Sequence, residues 1–162
     1  MMNLERTNIF RNSKLYYLSF GIMILLFFSD CFDEIVCLKG KGPILTEERS
    51  IKSFTKVFSQ IDADIYITQS DTQQVIIEGQ ENVLDQIQTY VSDGILRIDY
   101  DQCIRDHDGV NIYLSMNQVN GLKMGGSGKI VAQNHIITDL MEFKISGSGY
   151  IQVDSLQVQN ID

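Results

Sequence analysis

The stretches KMGGSGKIVAQ (residues 123–133) and KISGSGYIQVD (residues 144–154) are nearly the same string written twice. Gly126-Ser127-Gly128 returns as Gly147-Ser148-Gly149, 21 residues later. Setting residues 119–137 against 140–158 pairs Val119 with Leu140, Leu122 with Phe143 and Met124 with Ile145. It then pairs Ile130 with Ile151, Ala132 with Val153 and Ile137 with Val158. Every one of these columns is apolar. A unit of this size cannot bury its own apolar face, so such units stack on their neighbours. Two strand-like pieces joined by a glycine corner therefore predict the rungs of a parallel β-solenoid. Its corners need positive φ, which glycine adopts cheaply and residues with a Cβ do not. Rungs about 4.8 Å apart would set Ser127 over Ser148.

The first thirty residues stand apart from this pattern. Arg6, Arg11 and Lys14 precede a 14-residue apolar run, LYYLSFGIMILLFF, from Leu15 to Phe28. A basic start and a short apolar run are the layout of a secretory signal, and the run is too short to span a bilayer core of about 30 Å. Cys31 follows directly, in FFSDC, which is similar to a bacterial lipoprotein box except that Asp30 stands where Gly, Ala or Ser is usual. The expectation is export, with Cys31 lipidated and the protein held on the membrane through that anchor. Three cysteines then resolve into one anchor and a Cys37–Cys103 disulfide in an oxidising compartment.

The whole chain carries a net charge of −8. Without residues 1–30 it has ten basic and nineteen acidic residues, a net −9. The charges are dispersed along the sequence, which argues against nucleic acid and anionic membrane surfaces as partners. Residues 31–50 read as an exit segment with KGKGP as its flexible part. From Ile51 to residue 162 short strands dominate. DIYITQ (64–69) alternates, QVIIEG (74–79) reads as its hairpin partner, and ILRIDY (95–100) and VNIYLS (110–115) are further strands. In ENVLDQIQTYVSDG, Leu84, Ile87 and Val91 share a face at helical spacing and Gly94 supplies a stop, so one short helix is expected.

Catalytic readings of these residues fail on spacing. A nucleophile elbow needs Gly-x-Ser-x-Gly, but Lys129 follows Ser127 at that distance, and Ser146 and Tyr150 flank Ser148. Phosphate binding would need a helix after the glycines, and KIVAQ reads as strand. A calcium-binding solenoid turn would place Asp where Ile130 stands. DHDG (106–109) opens like a calcium loop, yet its closing position is Asn117 rather than Glu. His107 is expected to be exposed in that loop, and His135, in the column of Leu156, to half-fill a core position. Glu81 and Asp85 lie four apart on the expected helix, where a solvated face is the favoured reading. Tyr66, Tyr113 and Tyr150 are either sugar-stacking platforms or edge-strand filling. No catalytic residue, metal site or cofactor is assigned.

Several longer stretches resemble one bacterial family. They are LTEERSIKSFTKV, IDADIYITQSDTQQVIIEGQENVLDQIQTYVSDGILRIDY, VNIYLSMNQVNGLKMGGSGKI and FKISGSGYI. Together they resemble the family described as "putative auto-transporter adhesin, head GIN domain", from about Gly42 to the end. Ser70 departs from it, standing where Gly is usual. The resemblance implies an all-β, right-handed single-stranded β-helix over residues 51–162, related in shape to pectin lyases but without their catalytic residues. It also implies an envelope location and a role in adhesion. The expected function is thus that of a non-catalytic envelope lipoprotein, at the outer membrane or cell surface, binding a protein or glycan ligand. The alternative is a β-helix enzyme acting on acidic polysaccharide. Relatives tend to continue through more rungs, whereas LQVQNID still follows the rung pattern, with Leu156, Val158 and Ile161 in apolar columns. A C-terminally truncated domain is expected, and association of copies through the uncapped last rung.

Overall fold

The computed structural model describes residues 37–159. The signal segment, Cys31 and Ile161 lie outside the described residues. The strands are β1 (Leu38–Lys39), β2 (Ile44–Glu48), β3 (Lys56–Ser59), β4 (Ala63–Gln69) and β5 (Gln74–Gln80). After a one-turn helix α1 (Glu81–Leu84) come β6 (Ile87–Ser92), β7 (Ile95–Tyr100), β8 (Ile104–Arg105) and β9 (Asn111–Met116). The chain continues with β10 (Gly121–Met124), β11 (Gly128–Ala132), β12 (Ile136–Thr138), β13 (Glu142–Ile145), β14 (Tyr150–Gln152) and β15 (Leu156–Val158). Two larger sheets result, one ordered β13-β10-β3-β7-β6 and the other β14-β11-β4-β9-β5-β2. Two short pairs, β1-β8 and β12-β15, complete the set.

The two copies of the repeat do lie side by side. Leu122 pairs with Phe143 and Met124 with Ile145 in one sheet, and Ile130 pairs with Ile151 in the other, all parallel. The structure adds a third copy that the spacing did not reveal. Residues 56–67 stack on 121–132 in the same manner, Val57 on Leu122 and Ile65 on Ile130. This copy has Ile61-Asp62-Ala63 where the others have Gly-Ser-Gly. Its corner lacks the marking glycines, and Ser59 stands in the column of Met124.

The expected right-handed parallel β-solenoid is nonetheless overturned. The sheets are mixed: β2 pairs with β5, β5 with β9 and β6 with β7, all antiparallel. The all-β class stands, but a single-stranded β-helix does not. Local turn chemistry is the reason at β6–β7. Asp93 and Gly94 both have positive φ, 54° and 72°, the geometry of a two-residue hairpin turn, and a connection that short joins only antiparallel strands. The expected helix therefore shrinks to Glu81–Leu84, and Gly94 closes a hairpin rather than a helix. In β6, Ile87, Thr89 and Val91 alternate inward, opposite Tyr100, Ile98 and Leu96, and this period-two burial outweighs the helical spacing of Leu84, Ile87 and Val91. Likewise β5 is not the partner of β4, because β9 lies between them. Residues 44–48, within the expected exit segment, form the edge strand β2.

Alternation along the strands builds one core from both sheets. Ile65 and Ile67 of β4, Ile112 and Leu114 of β9, Leu96 and Ile98 of β7 and Leu122 of β10 belong to a single buried cluster. A fully buried side chain of this size contributes about 2 kcal/mol by leaving water. After the second corner the repeat slips. Ile136 pairs with Leu156 and Thr138 with Val158, an offset of 20 rather than 21. Because side chains alternate along a strand, that one-residue shift inverts the inward set. Ile137 turns outward, while Thr138 is buried and its hydroxyl donates to Asn120 Oδ1 at 2.8 Å or Leu140 O at 3.0 Å.

Glycine is required at the corners chiefly because turns lie on one another. A Cβ on Gly126 would collide with the carbonyl of Ile61, and one on Gly147 with the carbonyls of Gly125 and Gly126. Positive φ, the reason expected from sequence, applies among these corner glycines to Gly128 alone (φ 93°). At the other end of the domain the expected disulfide is present: Cys37 and Cys103 are bonded, 66 residues apart in sequence. In the chain-entropy account a bridge closing such a loop stabilises by about 4 kcal/mol.

Two sets of variants test this packing by urea denaturation. Gly126→Ala and Gly147→Ala should each destabilise by about 2 kcal/mol or more. Gly109→Ala, with positive φ but open space around its Cα, should cost about 1 kcal/mol. Ser59 is fully buried and its hydroxyl has no hydrogen-bond partner. Ser59→Ala should therefore raise stability by about 1 kcal/mol, and a loss would show that the hydroxyl is satisfied.

Candidate functional site

The corner serines offer no nucleophile. Ser127 and Ser148 are exposed, and neither is hydrogen-bonded to a histidine among the described residues. His135 is exposed rather than half-filling the core, and its Nδ1 pairs with Ser155 Oγ. The register slip explains the change, because Leu156 pairs with Ile136 instead. His107 departs from expectation in the opposite direction. Its side chain is only 8% exposed, lying edge-on to Tyr100, and Nδ1 accepts a hydrogen bond from the Gly109 amide at 3.1 Å. DHDG is thus a turn packed on the domain. Glu81 and Asp85 are both exposed at the single turn of α1. Among the described residues no group of three or more His, Cys, Asp or Glu is placed to hold a metal ion.

The outward face of the six-stranded sheet carries the expected tyrosines. Tyr66 of β4 and Tyr113 of β9 are register partners, with ring centroids 5.3 Å apart and planes 16° from parallel. On the other side of Tyr66, Lys129 Nζ lies 5.4 Å from its ring centroid and 2.9 Å from Asp64 Oδ2. The hydrogen bond to Asp64 first, and that to Tyr66 second, hold the Lys129 ammonium above its ordinary range. Loss of water, with Glu78 and Tyr66 beside it, pushes the Tyr113 phenol up as well. Both faces of the Tyr66 ring are thereby occupied, so Tyr66 is not free to stack a sugar. Tyr150, the register partner of Lys129, is exposed.

The outward face of the five-stranded sheet is different in charge. Lys144, Lys123, Phe58, Arg97 and Tyr90 occupy one row, each in register with the next across β13, β10, β3, β7 and β6. The Arg97 guanidinium sits 5.7 Å from the centroid of the Phe58 ring. In the adjoining row Glu142 accepts from Lys123 at 2.9 Å and Lys56 at 3.3 Å. Those two hydrogen bonds, Lys123 first, hold the Glu142 carboxyl below its usual range. Four cations (Lys56, Arg97, Lys123, Lys144) thus meet two carboxylates (Asp99, Glu142) on this face. On the other sheet's face, Lys129 meets Asp64, Glu78 and Glu48. Charges dispersed in sequence are sorted by the fold. Only the Lys123–Lys144 column was visible beforehand, since aligning Arg97 and Phe58 with it requires the strand order.

A third surface is apolar. Phe143 and Ile145 continue the core columns of Leu122 and Met124 along β13, yet they are 48% and 50% exposed. Leu140, Leu156 and Val158 are exposed nearby in sequence on the same last copy.

A family model described as "Putative auto-transporter adhesin, head GIN domain" matches residues 53–162. The chain belongs to this family. Its head GIN fold is similar to a solved putative adhesin from Bacteroides fragilis NCTC 9343, with 25% identity and a TM-score of 0.71, covering 75% of this chain and 58% of that one. It is also similar to a putative adhesin from Parabacteroides distasonis ATCC 8503, with 16% identity, a TM-score of 0.68 and coverage of 75% and 54%. A third, titled a putative lipid binding protein and from the same Parabacteroides strain, has 20% identity, a TM-score of 0.63 and coverage of 75% and 62%. The chain therefore spans a little over half the length of these solved proteins. No curated protein matches it.

The ladder on the six-stranded sheet can be tested by titration. Glu78→Gln should bring the Tyr113 phenol part of the way back toward its ordinary value, leaving the desolvation component in place. A phenolate absorbance titration against the Tyr113→Phe background reads the difference. An unchanged Tyr113 transition would show that Glu78 does not face it.

Proposed function

We propose that this protein is an exported lipoprotein of the cell envelope, anchored through Cys31, whose head GIN domain binds a protein or glycan ligand at the cell surface without catalysing a reaction. What carries this reading is the family match over residues 53–162, with a solved putative adhesin 25% identical over three quarters of the chain. The outer sheet faces support it, since their charges are engaged in ladders and ion pairs rather than gathered as a nucleophile with its base. Two acyl chains or more give the membrane retention that one alone does not. The apolar edge at Phe143 and Ile145 supports self-association, because an exposed edge strand presents unpaired backbone groups beside apolar side chains.

Three measurements bear on this. A palmitate analogue should label the wild type and not Cys31→Ala, which should leave the membrane fraction. An unlabelled wild type sinks the anchor. A deletion strain should lose adhesion to host cells or glycan surfaces, and undiminished adhesion counts against the binding role. In sedimentation velocity the full-length protein in detergent should associate, and Phe143→Lys with Ile145→Lys should restore the monomer. A wild-type monomer at all concentrations removes the self-association.

A further inference from the structure

The row on the outer face of the five-stranded sheet is a surface that the adhesin reading does not itself assign. We propose that it binds the backbone of a linear acidic polysaccharide, with Arg97, Lys123 and Lys144 as the anion contacts and Tyr90 as a ring at the end of the row. The proposal rests on the binding role and names the chemical class of the ligand.

Charge complementarity is the first ground. The chain carries −8 overall, yet this face gathers four of its thirteen basic residues against two carboxylates. Geometry is the second. Five register-paired positions on adjacent strands form a line about 19 Å long at ordinary strand spacing. An extended polysaccharide advances by about one strand spacing per sugar, so a straight row across strands presents one side chain per residue of such a chain. The third ground is the state of the cations. Phe58 lies beside the Arg97 guanidinium, whose planar fork suits a carboxylate or sulfate. Lys123 and Lys56 already share one carboxylate, that of Glu142, which shows the kind of anion these ammonium groups take. Glu142 therefore competes with the ligand for Lys123. Tyr90, 51% exposed on the edge strand β6, supplies an aromatic surface at the end of the row.

The test uses the full-length protein in detergent, immobilised polygalacturonate as the probe, and uncharged dextran as the comparison. Binding to polygalacturonate but not dextran is expected, weakening as salt rises. Arg97→Gln and Lys144→Gln should each weaken it about threefold, the scale of one exposed ion pair. Glu142→Gln should strengthen it by a similar factor by freeing Lys123. Lys129→Gln changes net charge equally but lies on the other sheet's face, and should leave binding unchanged. Circular dichroism of each variant confirms an intact fold.

Equal retention on dextran, equal loss from Lys129→Gln and Lys144→Gln, or weaker binding by Glu142→Gln would each overturn the proposal. Vesicles of phosphatidylcholine with and without phosphatidylglycerol distinguish a membrane. Charge-dependent partition that Lys144→Gln abolishes, without polygalacturonate binding, assigns the row to lipid and overturns the proposal. If polygalacturonate fails while the deletion strain still loses adhesion, the ligand class falls and the adhesin reading stands. The reverse result separates them the other way.

Discussion

Backbone laid directly on backbone at the glycine corners sets the geometry of the C-terminal half of this domain. Gly126 sits against the carbonyl of Ile61, Gly128 against Ala63, and Gly147 against Gly126. Each corner joins a strand of one sheet to a strand of the other, so its contact constrains both sheets together. Offsets of 65 and 21 residues accordingly hold on both sides of the corners, in β3-β10-β13 and in β4-β11-β14. A slip in one sheet would have to break the other. With register held, Val57, Leu122 and Phe143 form one apolar column and Ile65, Ile130 and Ile151 another.

Beyond the corners that coupling lapses. Four residues lie between Val131 and Ile136 but only three between their partners Gln152 and Leu156, so the β12-β15 pair shifts to an offset of 20. Thr138 then enters the interior and is accommodated because Asn120 and Leu140 O can accept its hydroxyl. At the opposite side of the sheets, antiparallel strands take over. The Asp93-Gly94 turn folds β6 back on β7, and β5 and β2 extend the other sheet, while the Cys37–Cys103 bridge ties β1 to β8. The domain is therefore parallel where turns stack, while of its antiparallel pairings only β6-β7 is closed by a tight turn, β5 meeting β2 and β9 across longer connections.

The same pleat that builds the core also sorts the surface. Along each strand alternate residues face out, and parallel pairing aligns them into rows. That arithmetic brings Lys144, Lys123 and Arg97 into one line from three separated segments, and places Tyr66 between Tyr113 and Lys129. One result is a cationic face on an acidic protein. The other is a closed aromatic ladder whose central ring has no free face for a ligand.

How much of this was legible can be argued element by element. The alternation of Ile65 and Ile67, the apolar columns of the repeat and the pairing of Cys37 with Cys103 follow from local pattern and count, because period-two burial and the oxidising context act on residues near in sequence or few in number. The helix at 81–94, the uniform parallel solenoid, the exposed His107 and the place of His135 did not survive. Ile87 and Val91, four residues apart, fit the helical and the strand period alike, and only the inward demand from Leu96 and Ile98 across the hairpin selects the strand. The third repeat copy escaped notice because Ile61-Asp62-Ala63 lacks the glycines; its corner is the one the others rest upon and has no earlier turn of this repeat beneath it. The sequence by itself determined which residues are apolar, where the chain must turn and which cysteines can bond. Strand order, and with it the cationic row, the occupied tyrosine ladder and the buried Thr138, was decided only in the tertiary structure, since each depends on pairings between segments whose separation in sequence carries no local signal.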